Sequence, residues 1–209
     1  ETLEQVVPHL LPRVQWLDSL PDEPFVGMIL ANEVLDALTI ERFALRGGEV
    51  NALGVSSEFG QLQLAEVRAA SRLVAAVRRI EADSGIALPD GYESEVCTGL
   101  APWFESIAYS LERGVLLFID YGLPRREYSS AERTRGTLLC HFRHRFHEDA
   151  LTRVGLQDIT AWVDFTAVAE AGERAGLEIA GYTTQAHFLI GNDLARHVGE
   201  ASRMDLVQR

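Results

Sequence analysis

The sequence predicts an α/β fold in which a mostly parallel sheet carries an antiparallel insert. Two nearly continuous apolar runs, Phe25 to Ala31 and Val115 to Ile119, end in polar residues, the pattern of parallel strands buried on both faces. Between them residues 41–67 alternate apolar and polar around Gly47-Gly48 and Gly60, the pattern of antiparallel hairpins. With 209 residues, 47% of them hydrophobic and 24% charged, the chain can bury roughly two thirds of its unfolded surface, and disorder and fibrous repeats are excluded.

Taken in order, Leu3, Val6, Val7, Leu10 and Leu11 recur at near-helical spacing before Pro12, the tail of an amphipathic helix. Val14 to Asp18 reads as a short strand, and Phe25 to Glu33 as a buried one delivering Asn32 and Glu33 to a crevice. Residues 41–67 form a hairpin or three strands, Val67 to Ile80 a helix, and Gly85 to Gly91 a loop around Pro89-Asp90-Gly91. A helix over Leu100 to Arg113 gathers Trp103, Phe104, Ile107 and Leu111 on one side, and Val115 to Ile119 is the second buried strand, ending in Asp120-Tyr121-Gly122. The loop-rich span 123–160 holds three of the six histidines. A helix capped by Asp164 ends near Gly176, and Leu177 to Gly181 and Ala186 to Ile190 read as strands. Trp16, Trp103 and the phenylalanines read as core. Residues 1–40 and 111–209 then form the sheet core, and 41–110 the insert.

Nineteen basic against thirty-one acidic residues give a net charge of -12, which repels phosphate backbones and excludes general nucleic-acid binding. Every base is arginine, so lysine Schiff-base and P-loop lysine chemistry are excluded. The glycines form no G-x-G and no G-x-S-x-G, which removes the standard nucleotide loops and the hydrolase elbow. No apolar run reaches the roughly 20 residues of a membrane span. Cys97 and Cys140 form no C-x-x-C, which fits a reducing cytoplasm. The chain begins at Glu1 without the layout of a signal peptide, and reads as starting within a longer protein.

What remains is a set of carboxylates at strand ends: Glu33 and Asp36 after the first buried strand, Asp120 after the second. In an open α/β sheet ligands bind beyond the carboxyl ends of the strands, so these acids border one crevice. A plainer reading makes Asp36 a helix cap and leaves Glu33 facing water. Residues 14–41 and 80–112 carry acids and no arginine, and if both flank the crevice its mouth attracts a cation. His141, His144 and His147, spaced three apart beside Cys140, would share one face of a helix. Interleaved Arg143 and Arg145 oppose a dication, so no metal site is assigned and these histidines are read as loop or substrate-contacting residues.

Six segments in order resemble the MidA-like S-adenosylmethionine-dependent methyltransferases, which include the mitochondrial complex I assembly factor that dimethylates an arginine. They are Ala31-Asn32-Glu33-Val34-Leu35-Asp36-Ala37-Leu38, Asp120-Tyr121-Gly122, Arg135-Gly136-Thr137, His144-Arg145-Phe146-His147, Gln157 to Phe165, and Thr184 to Leu189. The resemblance implies a class I methyltransferase, Rossmann-like sheet with the insert at about 41–110. It also implies a glycine-rich cofactor loop and a ribose-binding acid upstream of the helix that Glu1 to Leu11 resembles. Neither lies in these 209 residues, so the sheet is expected to be N-terminally truncated, and the chain alone to bind S-adenosylmethionine poorly, to be inactive and to self-associate.

By the same resemblance Asp18, Ala31 and Asn32 are expected to touch the cofactor, and Glu33, Asn32 and Asp36 to carry the chemistry. Tyr92, Glu93, Glu95, Asp120, Tyr121, His144, His147 and Asp158 are expected to hold the acceptor. The implied activity is methylation of a protein arginine in support of respiratory complex assembly. The competing expectation is a non-catalytic assembly module that holds an arginine-bearing segment in the same acidic crevice.

Overall fold

The computed structural model describes residues 2–198, so residues 199–209, assigned above to the core, lie outside the described residues. Pro8 and Pro12 supply no backbone donor, and the expected N-terminal helix breaks into a short α1 (Thr2–Val6) and a 3-10 segment (Pro8–Arg13). Val14 to Asp18 forms no strand, and Trp16, expected in the core, is 80% exposed.

The first apolar run becomes β1 (Phe25–Asn32), which pairs in parallel with β6 (Leu111–Ile119), Asn32 opposite Ile119. The expectation of burial on both faces fails for β1. Val26, Met28 and Leu30 point to one face that no described residue covers, while Phe25 and Ile29 are half-buried. Among the described residues the parallel strand pairs are β1 with β6 and β7 (Gly122–Leu123) with β11 (Val163–Asp164), beside one isolated parallel bridge between Glu93 and Arg135, so the sheets are not mostly parallel.

The alternating region forms β2 (Glu41–Arg46), β3 (Glu49–Glu58) and β4 (Gln61–Arg68), and β5 (Glu93–Val96) adds a fourth strand in the order β4-β3-β2-β5. Strand alternation continues to Arg68, so helix α2 (Ser71–Ser84) starts later than its periodicity suggested. Its Leu73 and Val77 bury against Phe43, Leu45, Val50 and Tyr92, a core formed within residues 43–96. Helix α3 (Leu100–Tyr109) is shorter than expected because Leu111 already enters β6. It sets Leu100 and Phe104 against Val163 and Ala171 in a second core, which Leu116 and Phe118 of β6 join.

Span 123–160 holds α4 (Arg125–Tyr128) and a three-stranded antiparallel sheet, β8 (Leu139–Phe142), β9 (Arg145–His147) and β10 (Asp158–Thr160), in the order β10-β8-β9. Helix α5 (Phe165–Arg174) starts as expected, with Asp164 accepting from the amides of Thr166 and Ala167. Residues 186–190, expected as a strand, lie within α6 (Gln185–Gly191), whose first turn Thr184 caps by accepting from His187 N, and 177–184 are irregular. No helix among the described residues is long and apolar enough to cross a membrane.

One buried cation ties these parts together. Arg125, 6% exposed, donates from Nε to Asp164 (3.0 Å), from Nη1 to Asp83 of α2 (2.8 Å), and from Nη1 and Nη2 to Glu170 of α5 (2.7 and 2.8 Å). The paired carboxylates hold its guanidinium above its already high ordinary value, the bonds to Glu170 foremost.

Candidate functional site

Because β1 and β6 run parallel and end level, the residues that follow them, Glu33 and Asp120, emerge side by side. Glu33 N donates to Ile119 O at 2.8 Å, prolonging the ladder by one bond, and Glu33 then turns into the left-handed region at φ 51°. A left-handed non-glycine residue costs free energy and clusters at sites of function. The chain next folds into a turn closed by Leu38 N to Leu35 O, so Asp36 caps no helix.

Asp120 holds that turn in place. Its Oδ2 accepts from the amides of Leu35 (2.9 Å) and Asp36 (3.3 Å), and its Oδ1 from Tyr121 N (2.9 Å). Burial raises the Asp120 carboxyl above its ordinary value, and the Asp36 charge adds to this. Tyr121 donates its hydroxyl to Asp36 Oδ2; burial first, then that bond, push its phenol up to about 12. Asp36 is 5% exposed, and its Oδ1 is buried with no hydrogen-bond partner. A buried carboxylate oxygen without a donor is costly unless a ligand supplies one.

Glu33, Asp36 and Tyr121 line a cavity of about 460 Å³ whose other wall is the β10-β8-β9 sheet. Leu139, His141, Asp158 and Thr160 share the facing side of that sheet, with Asp158 directly across from His141. The rim is the two-residue turn Arg143-His144, both left-handed at φ 49° and 63°. This is the primed hairpin geometry that Asn-Gly adopts cheaply and Arg-His does not. The Arg143 guanidinium stacks 5.3 Å from the Phe142 ring.

The structure therefore brings together Glu33, Asp36, Asp120, Tyr121, His144 and Asp158, with Asn32 at the adjoining strand end. Ala31 lies one residue back on β1, opposite Phe118, and Asp18 sits in an exposed segment apart from the cavity lining. The insert acids stand elsewhere. Tyr92 is buried in the insert core, and Glu93 pairs with Arg46 at 2.7 Å. Glu95, 2% exposed, accepts at Oε1 from Thr137 N, Thr137 Oγ1 and Tyr128 OH, which fastens the Arg135-Gly136-Thr137 loop. Gly136 (φ +71°) packs so closely on Glu95 Oε2 that any side chain there would collide. His147 pairs with Cys140, so it occupies the face of the small sheet opposite His141. The three histidines thus sit on a hairpin instead of one helical face, and among the described residues no group of three metal-ligating side chains exists.

Sequence reasoning did not place Thr160 or Phe142 in this wall. The signal was the alternation of Leu139 and His141, resumed by Phe146 beyond the two-residue turn 143–144, obscured because that turn lacks glycine and asparagine.

A family model described as "Putative S-adenosyl-L-methionine-dependent methyltransferase" matches residues 1–183. Among solved structures, the chain is similar to a "likely methyl transferase" from Burkholderia thailandensis bound to S-adenosyl-homocysteine, at 39% identity and a TM-score of 0.87 over 95% of this chain and 50% of that one. It is equally similar to the native form of an uncharacterized protein of the same superfamily from that organism, at 39% identity and a TM-score of 0.87 over 95% of this chain and 52% of that one. The chain thus spans about half the length of the solved relatives it matches. A search of curated proteins gives no significant match. On the family match and these two structures, the chain belongs to a family of S-adenosyl-L-methionine-dependent methyltransferases.

Proposed function

We propose that the protein carrying this chain transfers a methyl group from S-adenosylmethionine to an arginine of another protein, supporting assembly of a respiratory complex. The observation that carries the reading is the paired strand-end cluster, with the buried, unpartnered Asp36 Oδ1 beside Glu33 at one cavity.

A guanidinium is always protonated in water and offers N–H donors in a planar fork, which matches two carboxylates. Asp36 Oδ1 supplies a desolvated acceptor, and Glu33, held at the strand end by the hydrogen bond its backbone N–H donates to Ile119 O, supplies a second carboxylate. When a guanidinium nitrogen takes the methyl and the cofactor's sulfur–methyl bond breaks to leave a neutral thioether, the nitrogen becomes more acidic, and Glu33 would accept the released proton. Asp120 and Tyr121 act through Asp36: one fixes the turn's amides and the other fixes Oδ2, so Oδ1 stays directed by geometry instead of by substrate.

The residues present fit the cofactor's reactive end, since a sulfonium is a cation and three carboxylates surround this strand end. Asn32 and Ala31, with Asp18 on the segment leading to β1, are the residues of this chain that would hold it. When bound, S-adenosylmethionine supplies an electrophilic methyl for in-line displacement.

The reading is tested by offering the whole protein labelled S-adenosylmethionine and a panel of protein fragments in which each arginine is paired with a lysine-substituted copy. Label in the arginine member only is expected. Label in the lysine copy, or in small molecules alone, would replace the proposed acceptor.

A further inference from the structure

A second cavity, of about 430 Å³, opens on the other face of the β10-β8-β9 sheet, walled by β2, the edge strand β4 and residues 147–151. Two side chains that line it hold buried donors with no acceptor: Arg42 at Nε and His147 at Nε2. His147 Nδ1 accepts from Asp149 N at 3.3 Å, so the neutral ring carries its proton on Nε2. Buried N–H groups left unpaired are costly, and two lining one polar, roomy cavity define what would satisfy both.

The surrounding charges are already committed. Arg135 pairs with Glu148 at 3.6 Å, and Asp149 Oδ1 accepts from Leu151 N. Glu93, 4.0 Å from Arg42, is held more closely by Arg46 at 2.7 Å. Behind His147 the buried Cys140 thiol is pushed up, chiefly by burial, and contributes no charge near neutral pH. With His147 neutral, the two arginines and two acids lining the cavity balance. An oxyanion seated between the two donors satisfies both, and its bond to the Arg42 guanidinium is charge-assisted.

We propose that this cavity is a binding site for a compact oxyanion, a carboxylate or a phosphate, gripped between Arg42 Nε–H and His147 Nε2–H. The site is separate from the strand-end crevice and stands whether or not the acceptor there is arginine.

The test follows the His147 ring resonances of the whole protein, with isotope-labelled histidine, at fixed pH through titrations with chloride, acetate, inorganic phosphate and a short glutamate-containing peptide. Acetate or phosphate is expected to shift the His147 Nε2–H resonance saturably. At least tenfold tighter binding of the peptide would mark a polypeptide side chain as the source, and equal binding a free anion. Arg42→Gln is expected to weaken binding at least about tenfold. His147→Phe, which keeps a ring but offers no donor, is expected to weaken binding at least about tenfold by calorimetry, and decides the matter if Arg42→Gln fails to fold. No shift with any of the anions, the same shift in Arg42→Gln (an adventitious ion only), or undiminished binding by His147→Phe would overturn the proposal.

Discussion

Asp36 and Tyr121 separate two kinds of change that look equally conservative on paper. Tyr121→Phe removes the only donor that Asp36 Oδ2 has among the described residues and leaves a buried carboxylate with both oxygens unpaired there. We expect it to cost about 1–3 kcal/mol, read as the denaturation midpoint. Asp36→Asn keeps an acceptor for Tyr121 and discards the charge, so its cost should be the smaller of the two. The same substitution has a titration signature. Asp120 sits above its ordinary value of 3.8 because of burial and the Asp36 charge, so its contribution to stability is fully present below 3.8 and is lost as pH rises through the higher folded value. Removing the Asp36 charge should lower the folded midpoint of Asp120 and flatten that loss, which carbon NMR of the aspartate carboxyls measures. An unmoved Asp120 midpoint would mean that burial alone raises it.

Among the elements, Arg125 and the hairpin turn make opposite predictions. Arg125 joins α2 of the insert to α5 of the core, and Asp164, its partner at 3.0 Å, is itself largely buried. Arg125→Ala should destabilise by about 3–5 kcal/mol, because it strands Asp164 without a cation, and Arg125→Lys should recover only part of this, since an ammonium cannot span Glu170 with two bonds. Equal melting of Ala and wild type would remove this clasp from the account. At the turn, Arg143→Asn with His144→Gly suits the left-handed conformation and should raise the melting temperature by about 2–4 °C, corresponding to about 1 kcal/mol. If the strain is retained for the cavity rim, the same pair should slow methyl transfer, whereas a stabilised variant of unchanged rate would make the turn's residues incidental. These elements also mark what the sequence disclosed. Runs ending in Asn32-Glu33 and Asp120 were legible as parallel strands because each is nearly continuously apolar and ends in polar residues, although β1 is not covered on both faces. The β8–β9 hairpin was not, because its turn carries none of the residues that reveal a left-handed pair. Residues 186–190 were read as a strand on five consecutive positions, too few for periodicity to distinguish a helix that a threonine cap starts.

For the whole molecule, the mismatch between apolar pattern and exposure is concentrated on one surface. Val26, Met28 and Leu30 lie bare on β1, with Val115 exposed on β6 beside them, and Trp16 and Leu17 are exposed on the segment leading to β1. Apolar rows of this kind on an open two-stranded sheet drive association. The 209 residues alone are therefore expected to self-associate with increasing concentration in light scattering, and a concentration-independent monomer would show that this face is tolerated in water. The crevice assignment rests on a narrower claim, that Glu33 takes the proton while Asp36 only grips. Its most direct test compares wild type and Glu33→Gln of the whole protein in single-turnover methyl transfer to an arginine acceptor, with S-adenosylmethionine affinity measured in parallel. The predicted result is a rate lower by roughly 10² to 10⁴, a loss on the order of 3–5 kcal/mol in the transition state, at unchanged cofactor affinity. Equal rates at matched affinity would contradict the account and take Glu33 out of the chemistry.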